Sequence, residues 1–129
     1  MNNPQELKYT KTDEWIKVEG PNATIGITDF AQDQLSDIVY VEFNVDIDEN
    51  FDKDATLAII ESVKTASDIH APASGKVIEI NEDLANTPEV INDDPYSNWM
   101  LKIELSNPDE IGSLMDASTY SKFCEGRGH

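Results

Sequence analysis

Residues 57–70 read Leu57-Ala58-Ile59-Ile60-Glu61-Ser62-Val63-Lys64-Thr65-Ala66-Ser67-Asp68-Ile69-His70. An apolar run is followed by a short polar turn and then by a second stretch bounded by apolar residues, a pattern that predicts a β-hairpin. Its tip holds Lys64. A lysine on a rigid hairpin suits cofactor attachment, because its long stem becomes the base of a mobile arm. On spacing alone, however, a lysine in a turn is more commonly a solvated surface charge.

Short β-branched or aromatic runs recur on both sides of this hairpin. They predict strands at residues 15–18, 23–27, 38–43, 57–63, 76–80 and 99–105. Residues 76–80 and 101–105 alternate polar with apolar side chains, so one face of each strand meets a core and the other meets water. Turn-forming residues separate the runs. Several short strands with regular turns predict a β-sandwich or barrel.

Helices are predicted at three places. Capping residues precede apolar residues at helical spacing over 28–35. Asn107 is placed to cap a second helix, with Pro108 at its first position and Glu110 at the capping-box position. A third helix is predicted in the C-terminal segment that follows, and residues 126–129 are predicted to be a frayed tail.

Length and charge limit the function classes. The 129 residues suit a single domain over 1–129, with its core at about 7–125. With 26 acidic and 9 basic residues, the net charge is −17, which disfavours nucleic acid and anionic membranes as partners. Such a field favours encounters with proteins that present basic faces. Nothing in the apolar pattern suggests a dimer interface, so a monomer is expected.

Cysteine usage and the first residues indicate the compartment. Cys124 is the only cysteine, so an intramolecular disulfide is excluded, and a packed thiol is the simpler interpretation of this residue. Residues 1–6 lack the basic patch and apolar run of a signal peptide. We therefore expect a bacterial cytoplasmic protein, or a processed mitochondrial matrix protein. The acidic run at 46–54 lacks the glycine and closing glutamate of a calcium loop, so no metal site is predicted.

The residues around the lysine carry a family resemblance. Glu61, Ser62, Val63 and Lys64, followed by Thr65, Ala66, Ser67 and Asp68, form a segment that resembles the lipoylation motif of the H proteins of the glycine cleavage system. The similarity extends in the family order through residues 9–15, 23–32, 37–42, 72–81, 92–96 and 99–103. A biotinyl domain would carry methionine on both sides of its lysine, whereas Val63 and Thr65 flank Lys64 here.

The resemblance implies a mainly β fold, a flattened antiparallel barrel or sandwich of the lipoyl/biotinyl type (a barrel-sandwich hybrid) with short helices, notably at the C-terminus. It implies a non-catalytic carrier with lipoate attached covalently to Lys64. The implied partners are the pyridoxal-phosphate glycine decarboxylase (P protein), the tetrahydrofolate-dependent aminomethyltransferase (T protein), dihydrolipoamide dehydrogenase (L protein), and a lipoate ligase or a lipoyl/octanoyl transferase. The carrier would shuttle the aminomethyl group of glycine between the first two enzymes and electrons to the third.

The resemblance also implies a cleft in which the loaded arm docks beside carboxylates. Glu14 and Asp68 match the acidic positions, and a carboxylate suits a cationic amine because charge-assisted hydrogen bonds are strong. An equally good interpretation is structural, with Glu14 at a strand start and Asp68 holding the hairpin turn. Gln34 is a further candidate for a hydrogen bond to the arm.

Three positions depart from the family pattern. Asp13 and Gln34 stand where many members have histidine, and Ser36 replaces a usual glycine. Glutamine does not titrate, so a proton-sensitive latch at position 34 is lost. Two other functions stay open: a relay that donates lipoyl or octanoyl groups to the lipoyl domains of 2-oxoacid dehydrogenases, and an adaptor that has lost modification.

Overall fold

The computed structural model describes residues 2–127. The strands of this region are β1 (Lys8–Tyr9), β2 (Glu14–Glu19), β3 (Asn22–Ile27), β4 (Ile38–Phe43), β5 (Asn50–Phe51), β6 (Thr56–Ser62), β7 (Ala66–His70), β8 (Gly75–Ile80) and β9 (Leu101–Leu105). The α-helices are α1 (Asp29–Leu35), α2 (Val90–Asp93) and α3 (Ala117–Arg127), and 3₁₀ helices span Glu82–Ala85 and Pro108–Ser113.

Two antiparallel sheets face each other. One has six strands in the order β1-β2-β3-β9-β8-β5, and the other has three in the order β4-β6-β7. All six predicted strands form, and the predicted mainly β sandwich with a C-terminal helix is confirmed. The last predicted strand begins later than expected, at Leu101 instead of Trp99, because the Trp99 carbonyl accepts the Asn81 side-chain amide at 2.8 Å.

The main hydrophobic core lies between the sheets. Alternating apolar side chains supply it, among them Ile25, Leu57, Ile60 and Ile103, which are fully buried. Such alternation is what the pleat of a strand requires when one face is buried. The core therefore fixes the register of β6, and with it the position of the hairpin tip between β6 and β7.

The helix α1 has a capping residue at its start and a strained residue at its end. Thr28 is its N-cap, and its hydroxyl accepts a hydrogen bond from the Ala31 N–H, as the capping residues predict. Ser36 follows the helix with φ 66° and ψ −148°, a conformation that only glycine adopts without strain. The usual glycine of the family pattern is therefore explained by the backbone at this position.

The predicted capping box after Asn107 does not form. Asn107 makes no side-chain cap, and the segment is a 3₁₀ helix, Pro108–Ser113, instead of an α-helix. The cause is the carboxylate of Glu110, which accepts hydrogen bonds from the Ser74 N–H at 2.7 Å and the Ser74 hydroxyl at 3.0 Å. The contact with Ser74 thus occupies the Glu110 carboxylate that the capping box would need.

The C-terminal helix α3 forms a second hydrophobic cluster with the first residues of the chain. Tyr9 and Tyr120 stack with ring centroids 4.6 Å apart, and Phe30 and Cys124 are buried beside them. The predicted frayed tail is wrong for residues 126 and 127, which continue the helix, while residues 128–129 lie outside the described residues. No helix within residues 2–127 has the length and apolar character needed to cross a membrane.

Candidate functional site

The hairpin between β6 and β7 presents Lys64 at one end of the three-stranded sheet. The last cross-strand pairs before the turn are Ile60 with Ser67 and Glu61 with Ala66. The Ser62 N–H then donates to the Thr65 carbonyl at 2.7 Å, so that only two residues form the tip. The predicted hairpin with the lysine at its tip is confirmed.

A serine hydroxyl holds this tip. The Ser62 oxygen accepts hydrogen bonds from the N–H groups of Lys64 at 3.2 Å and Thr65 at 3.0 Å, and it donates to the Thr65 carbonyl at 3.1 Å. The Val63 N–H donates to the Asp37 carbonyl at 3.0 Å, which ties the turn to the residue before β4. Because its main chain is bonded in this way, the tip is ordered although its side chains are exposed.

The Lys64 side chain itself extends into solvent. Within residues 2–127, its ammonium group takes part in no ion pair or hydrogen bond. A primary amine that is fixed at its backbone and unpartnered at its end is accessible to an enzyme that modifies it.

A cleft of about 250 Å³ lies beside the hairpin. Its walls come from the β1–β2 turn, the end of β3, α1, the hairpin and the end of α3. They are formed by Thr12, Asp13, Ile27, Ala31, Gln34, Leu35, Thr65, Ala66, Ser67, Ile69 and Arg127. Apolar side chains and hydroxyl groups both contribute to this lining. Such a surface suits a flexible aliphatic chain that ends in a polar group.

One wall of the cleft is an ion pair. The guanidinium nitrogens of Arg127 lie 2.5 and 2.8 Å from the two carboxylate oxygens of Asp13. Burial raises the pKa of the Tyr120 phenol well above its ordinary value, so it stays protonated and donates to Asp13 at 2.7 Å. Thr28 in turn contacts the Tyr120 hydroxyl at 2.7 Å. The Asp13 carboxylate is therefore paired with a cation and accepts hydrogen bonds from the Tyr120 hydroxyl and from both guanidinium nitrogens.

Aromatic rings hold the arginine in this position. The Arg127 guanidinium carbon lies 4.3 Å from the Phe30 ring centroid and 5.0 Å from the Phe123 ring centroid. Stacking of this kind is favoured by the planar guanidinium group. The end of α3 is thereby fastened to α1 and to the β1–β2 turn.

Glu14 is buried behind the cleft and does not line it. Its carboxylate accepts hydrogen bonds from the hydroxyls of Thr10 at 2.5 Å and Thr12 at 2.6 Å, and from the His70 N–H at 3.1 Å. Burial raises the pKa of this carboxyl above its ordinary value, while these hydrogen bonds lower it in part. Glu14 thus connects β2 of one sheet with the end of β7 in the other.

The two other residues expected in the cleft lie on different sides of the hairpin. Gln34 of α1 is in the lining. Asp68 is exposed and is absent from the lining, whereas its neighbours Ser67 and Ile69 are part of it. Successive residues of a strand point to opposite faces. Asp68 therefore lies on the outer face of β7.

Two residues of the cleft were not predicted as a pair. The sequence pattern singled out Asp13 only as a departure from the family, and it placed Arg127 in a tail. One feature of the sequence could have indicated the pair: Arg127 is the single arginine of an acidic chain, so a carboxylate partner was to be expected. Elsewhere in residues 2–127, no group of three or more His, Cys, Asp or Glu side chains is arranged to hold a metal ion.

Comparisons with known proteins point to one family. A family model described as glycine cleavage H-protein matches residues 7–127. A glycine cleavage system H protein of Symbiobacterium thermophilum is 50% identical over 125 residues, covering 96% of this chain and 97% of the relative. The mitochondrial glycine cleavage system H protein 2 of Arabidopsis thaliana is 48% identical over 122 residues, covering 94% of this chain and 78% of the relative.

A solved structure extends the similarity to the fold. The crystal structure of a glycine cleavage system H protein from Mycobacterium marinum superposes with a TM-score of 0.82 at 30% sequence identity, covering 98% of this chain and 99% of that chain. The predicted lipoyl-type barrel-sandwich is thereby confirmed.

Proposed function

The chain belongs to the glycine cleavage H-protein family, and on that premise we propose that Lys64 carries a covalent lipoyl group. The chain is a lipoyl carrier of the glycine cleavage system. The observation that carries the assignment to Lys64 is its place at the tip of an ordered two-residue turn, with an exposed and unpartnered ammonium group.

The residues around Lys64 fit the cofactor. The cleft beside the tip offers Ile27, Leu35 and Ile69 to an aliphatic chain, while Gln34 and Ser67 offer polar groups. When bound, lipoate supplies the dithiolane chemistry that accepts the aminomethyl group and carries electrons. The protein supplies the anchor, and its carrier role makes the chain a non-catalytic component.

We infer that the cleft is where the arm docks, with Gln34 as a hydrogen-bonding residue. The apolar lining excludes water from a bound chain, which slows the loss of a labile adduct. The docking roles implied for Glu14 and Asp68 stay predictions. Thr12 lines the cleft and donates to Glu14, so that this carboxylate acts on the cleft through the threonine hydroxyl.

The individual partner enzymes follow from the family role. The carrier meets the P, T and L proteins in turn, and a lipoate ligase or a lipoyl/octanoyl transferase loads it. The net charge of −17 suits repeated, transient contact with basic docking faces. Relatives occur in bacteria and in mitochondria, and a bacterial cytoplasmic location stays our expectation. A relay role in lipoate transfer uses the same lysine, but the relatives are named for glycine cleavage.

Mass analysis tests the assignment. The chain is expressed with lipoate and a lipoate ligase, alongside Lys64→Arg and the control Lys11→Arg. We expect a lipoyl mass addition on the native chain and on the control, mapped to the peptide with Lys64, and none on Lys64→Arg. Addition at another lysine, or none at all, would overturn the proposal, and the second outcome would favour an unmodified adaptor.

A further inference from the structure

Exposed apolar side chains cluster beside Lys64. Val63 at the tip is 69% exposed, and Val39 and Tyr40 of β4 are 53% and 45% exposed. The main chain brings them together, because Ile38 pairs with Ser62 and the Val63 N–H bonds to the residue before β4. Large apolar side chains in such a group are typical of an interaction surface.

A β-bulge creates this cluster. Ile38 pairs with Ser62, but the next pair is Tyr40 with Glu61, so Val39 is an extra residue in β4. Alternation would turn either Val39 or Tyr40 toward the core, whereas the bulge leaves both exposed. Bulges re-aim side chains near functional sites, and this one adjoins the end of the sheet that holds the lysine.

Carboxylates continue the surface behind the apolar residues. The pairs Tyr40–Glu61 and Glu61–Ala66 form one row across the three strands, and the pairs Glu42–Ile59 and Ile59–Asp68 form the next row on the same face, two residues along each strand. Directly opposed residues lie about 5 Å apart on one face of a sheet. Glu42, Glu61 and Asp68 are exposed, and within residues 2–127 none of them is in an ion pair.

We propose that this outer face is the docking surface for the enzyme that acylates Lys64. The surface consists of the apolar residues Val39, Tyr40 and Val63 with Glu42, Glu61 and Asp68 behind them. The partner surface is then an apolar patch bordered by lysine or arginine side chains, because desolvated carboxylates need cationic partners. This inference rests on the proposed function, since it requires Lys64 to be the acylated residue.

The chemistry of the step selects this partner. The deprotonated amine of Lys64 attacks the carbonyl carbon of an activated lipoyl or octanoyl ester, such as an acyl adenylate or thioester. A C–N bond forms, the activating group leaves with its bonding electron pair, and the amine proton passes to a base of the enzyme. The enzyme must therefore bring its reacting carbonyl to the tip, and its surface contacts the strands that hold the tip. Enzymes that act on the far end of a finished arm have no such requirement.

Acylation kinetics test the docking surface. A bacterial lipoate ligase with ATP and lipoate acylates the native chain, the double variant Val39→Ser/Tyr40→Ser and the matched control Val18→Ser/Ile78→Ser. Val18 and Ile78 are also exposed apolar residues, 41% and 37%, but they lie on the six-stranded sheet. We expect the KM for the carrier to rise about tenfold in the first variant, as for loss of an interface anchor, with kcat unchanged. The control stays within about twofold of the native chain.

Charge removal gives an independent readout. We expect Glu42→Gln/Asp68→Asn to raise the KM for the carrier and to flatten its dependence on salt, because rim charges act mainly on encounter rates. Circular dichroism verifies that each variant is folded. An unchanged KM and salt dependence in both double variants, while the native chain is acylated at Lys64, would overturn the docking surface alone.

The remaining outcomes separate the two proposals. If the native chain is not acylated at Lys64, the proposed function is wrong, and the docking surface falls with it. In a separate assay, variants that excess ligase has acylated to completion are tested with the P, T and L proteins. Normal acylation combined with a defect in that assay would assign the surface to those enzymes and overturn its assignment to the acylating enzyme.

Discussion

Arg127 and Asp13 form a two-pronged ion pair across 114 positions of sequence, and this pair closes one wall of the cleft beside Lys64. Its parallel N–H···O contacts are the geometry in which an arginine–carboxylate pair is strongest. The end of the C-terminal helix is therefore part of the site and not an appendage to it.

A double-mutant cycle with Asp13→Asn and Arg127→Ala measures this pair. We expect a coupling free energy of unfolding of about 1 kcal/mol, because the pair is doubly hydrogen-bonded but partly exposed to solvent. The control cycle uses Lys102 and Glu79, whose charged atoms lie 3.8 Å apart on the surface, and should give a value near zero. Equal coupling in the two cycles would contradict the special strength of the Arg127 pair.

Ser36→Gly should stabilise the protein by about 1 kcal/mol, because glycine relieves the strained φ and ψ at a small cost in chain entropy. Urea unfolding measures the change. Ser106→Gly is the matched control, since Ser106 is exposed and has no positive φ, and it should not stabilise. A loss of stability in Ser36→Gly would contradict the strain.

The raised pKa of Glu14 predicts a pH dependence. The folded state binds the carboxyl proton of Glu14 more tightly than the unfolded state does. The protonated carboxyl therefore stabilises the fold at low pH, and this contribution is lost as pH rises from about 4.5 through the folded pKa. We expect the native chain to lose stability relative to Glu14→Gln over this window, measured as the difference in free energy of unfolding at each pH.

Asp116 provides a control of opposite sign. The Thr119 N–H lowers the pKa of this carboxyl below its ordinary value of 3.8. Its contribution is present above that value and is lost as pH falls through the folded pKa. The native chain should therefore lose stability relative to Asp116→Asn as pH falls. If the stability differences for Glu14→Gln and Asp116→Asn changed in the same direction with pH, one of the two pKa shifts would be wrong.

Gly26→Ala should destabilise the protein by about 2 kcal/mol. Gly26 pairs with Trp15 across the sheet, and an added Cβ would lie 2.7 Å from three atoms of the indole. The indole has little freedom to move, since its N–H donates to the Pro95 carbonyl at 3.1 Å. Gly112→Ala is the control, because an added Cβ there meets no atom within 4 Å. Thermal unfolding of both variants checks the difference.

Ser62→Ala should loosen the tip of the hairpin. Loss of the hydroxyl removes the hydrogen bonds to the N–H groups of Lys64 and Thr65, so we expect hydrogen exchange at these amides to accelerate about fivefold. Ser62→Thr keeps a hydroxyl and should retain most of the protection. Unchanged exchange in Ser62→Ala would mean that the strands alone order the tip.

The sequence predicted the hairpin and six strands because those features depend on local patterns. Alternation along β8 and β9 is a direct consequence of the pleat, and the turn around Lys64 follows from the polar residues between two apolar runs. The two-residue strands β1 and β5 are too short to leave such a pattern. The bulge at Val39 was also unpredictable, since its sequence reads as a regular strand.

The parts that sequence did not predict depend on contacts between distant residues. Glu110 matches a capping box, but Ser74 takes its carboxylate, and no local pattern reveals that competition. Likewise, Arg127 is the last residue of α3, and its position depends on contacts with Asp13 and with the rings of Phe30 and Phe123. Gln34, singled out from the sequence, lines the cleft, and its contact with the arm stays a prediction, whereas nothing local indicated that Arg127 lines it too.

The bulge in β4 has a consequence for self-association. β4 is an edge strand, and a regular edge offers a template onto which a strand of another copy adds by backbone hydrogen bonds. The extra residue at Val39 interrupts that template next to the lysine, and the carboxylates beside it repel an identical surface. The exposed apolar side chains that would otherwise promote aggregation therefore stay available to a different, complementary protein.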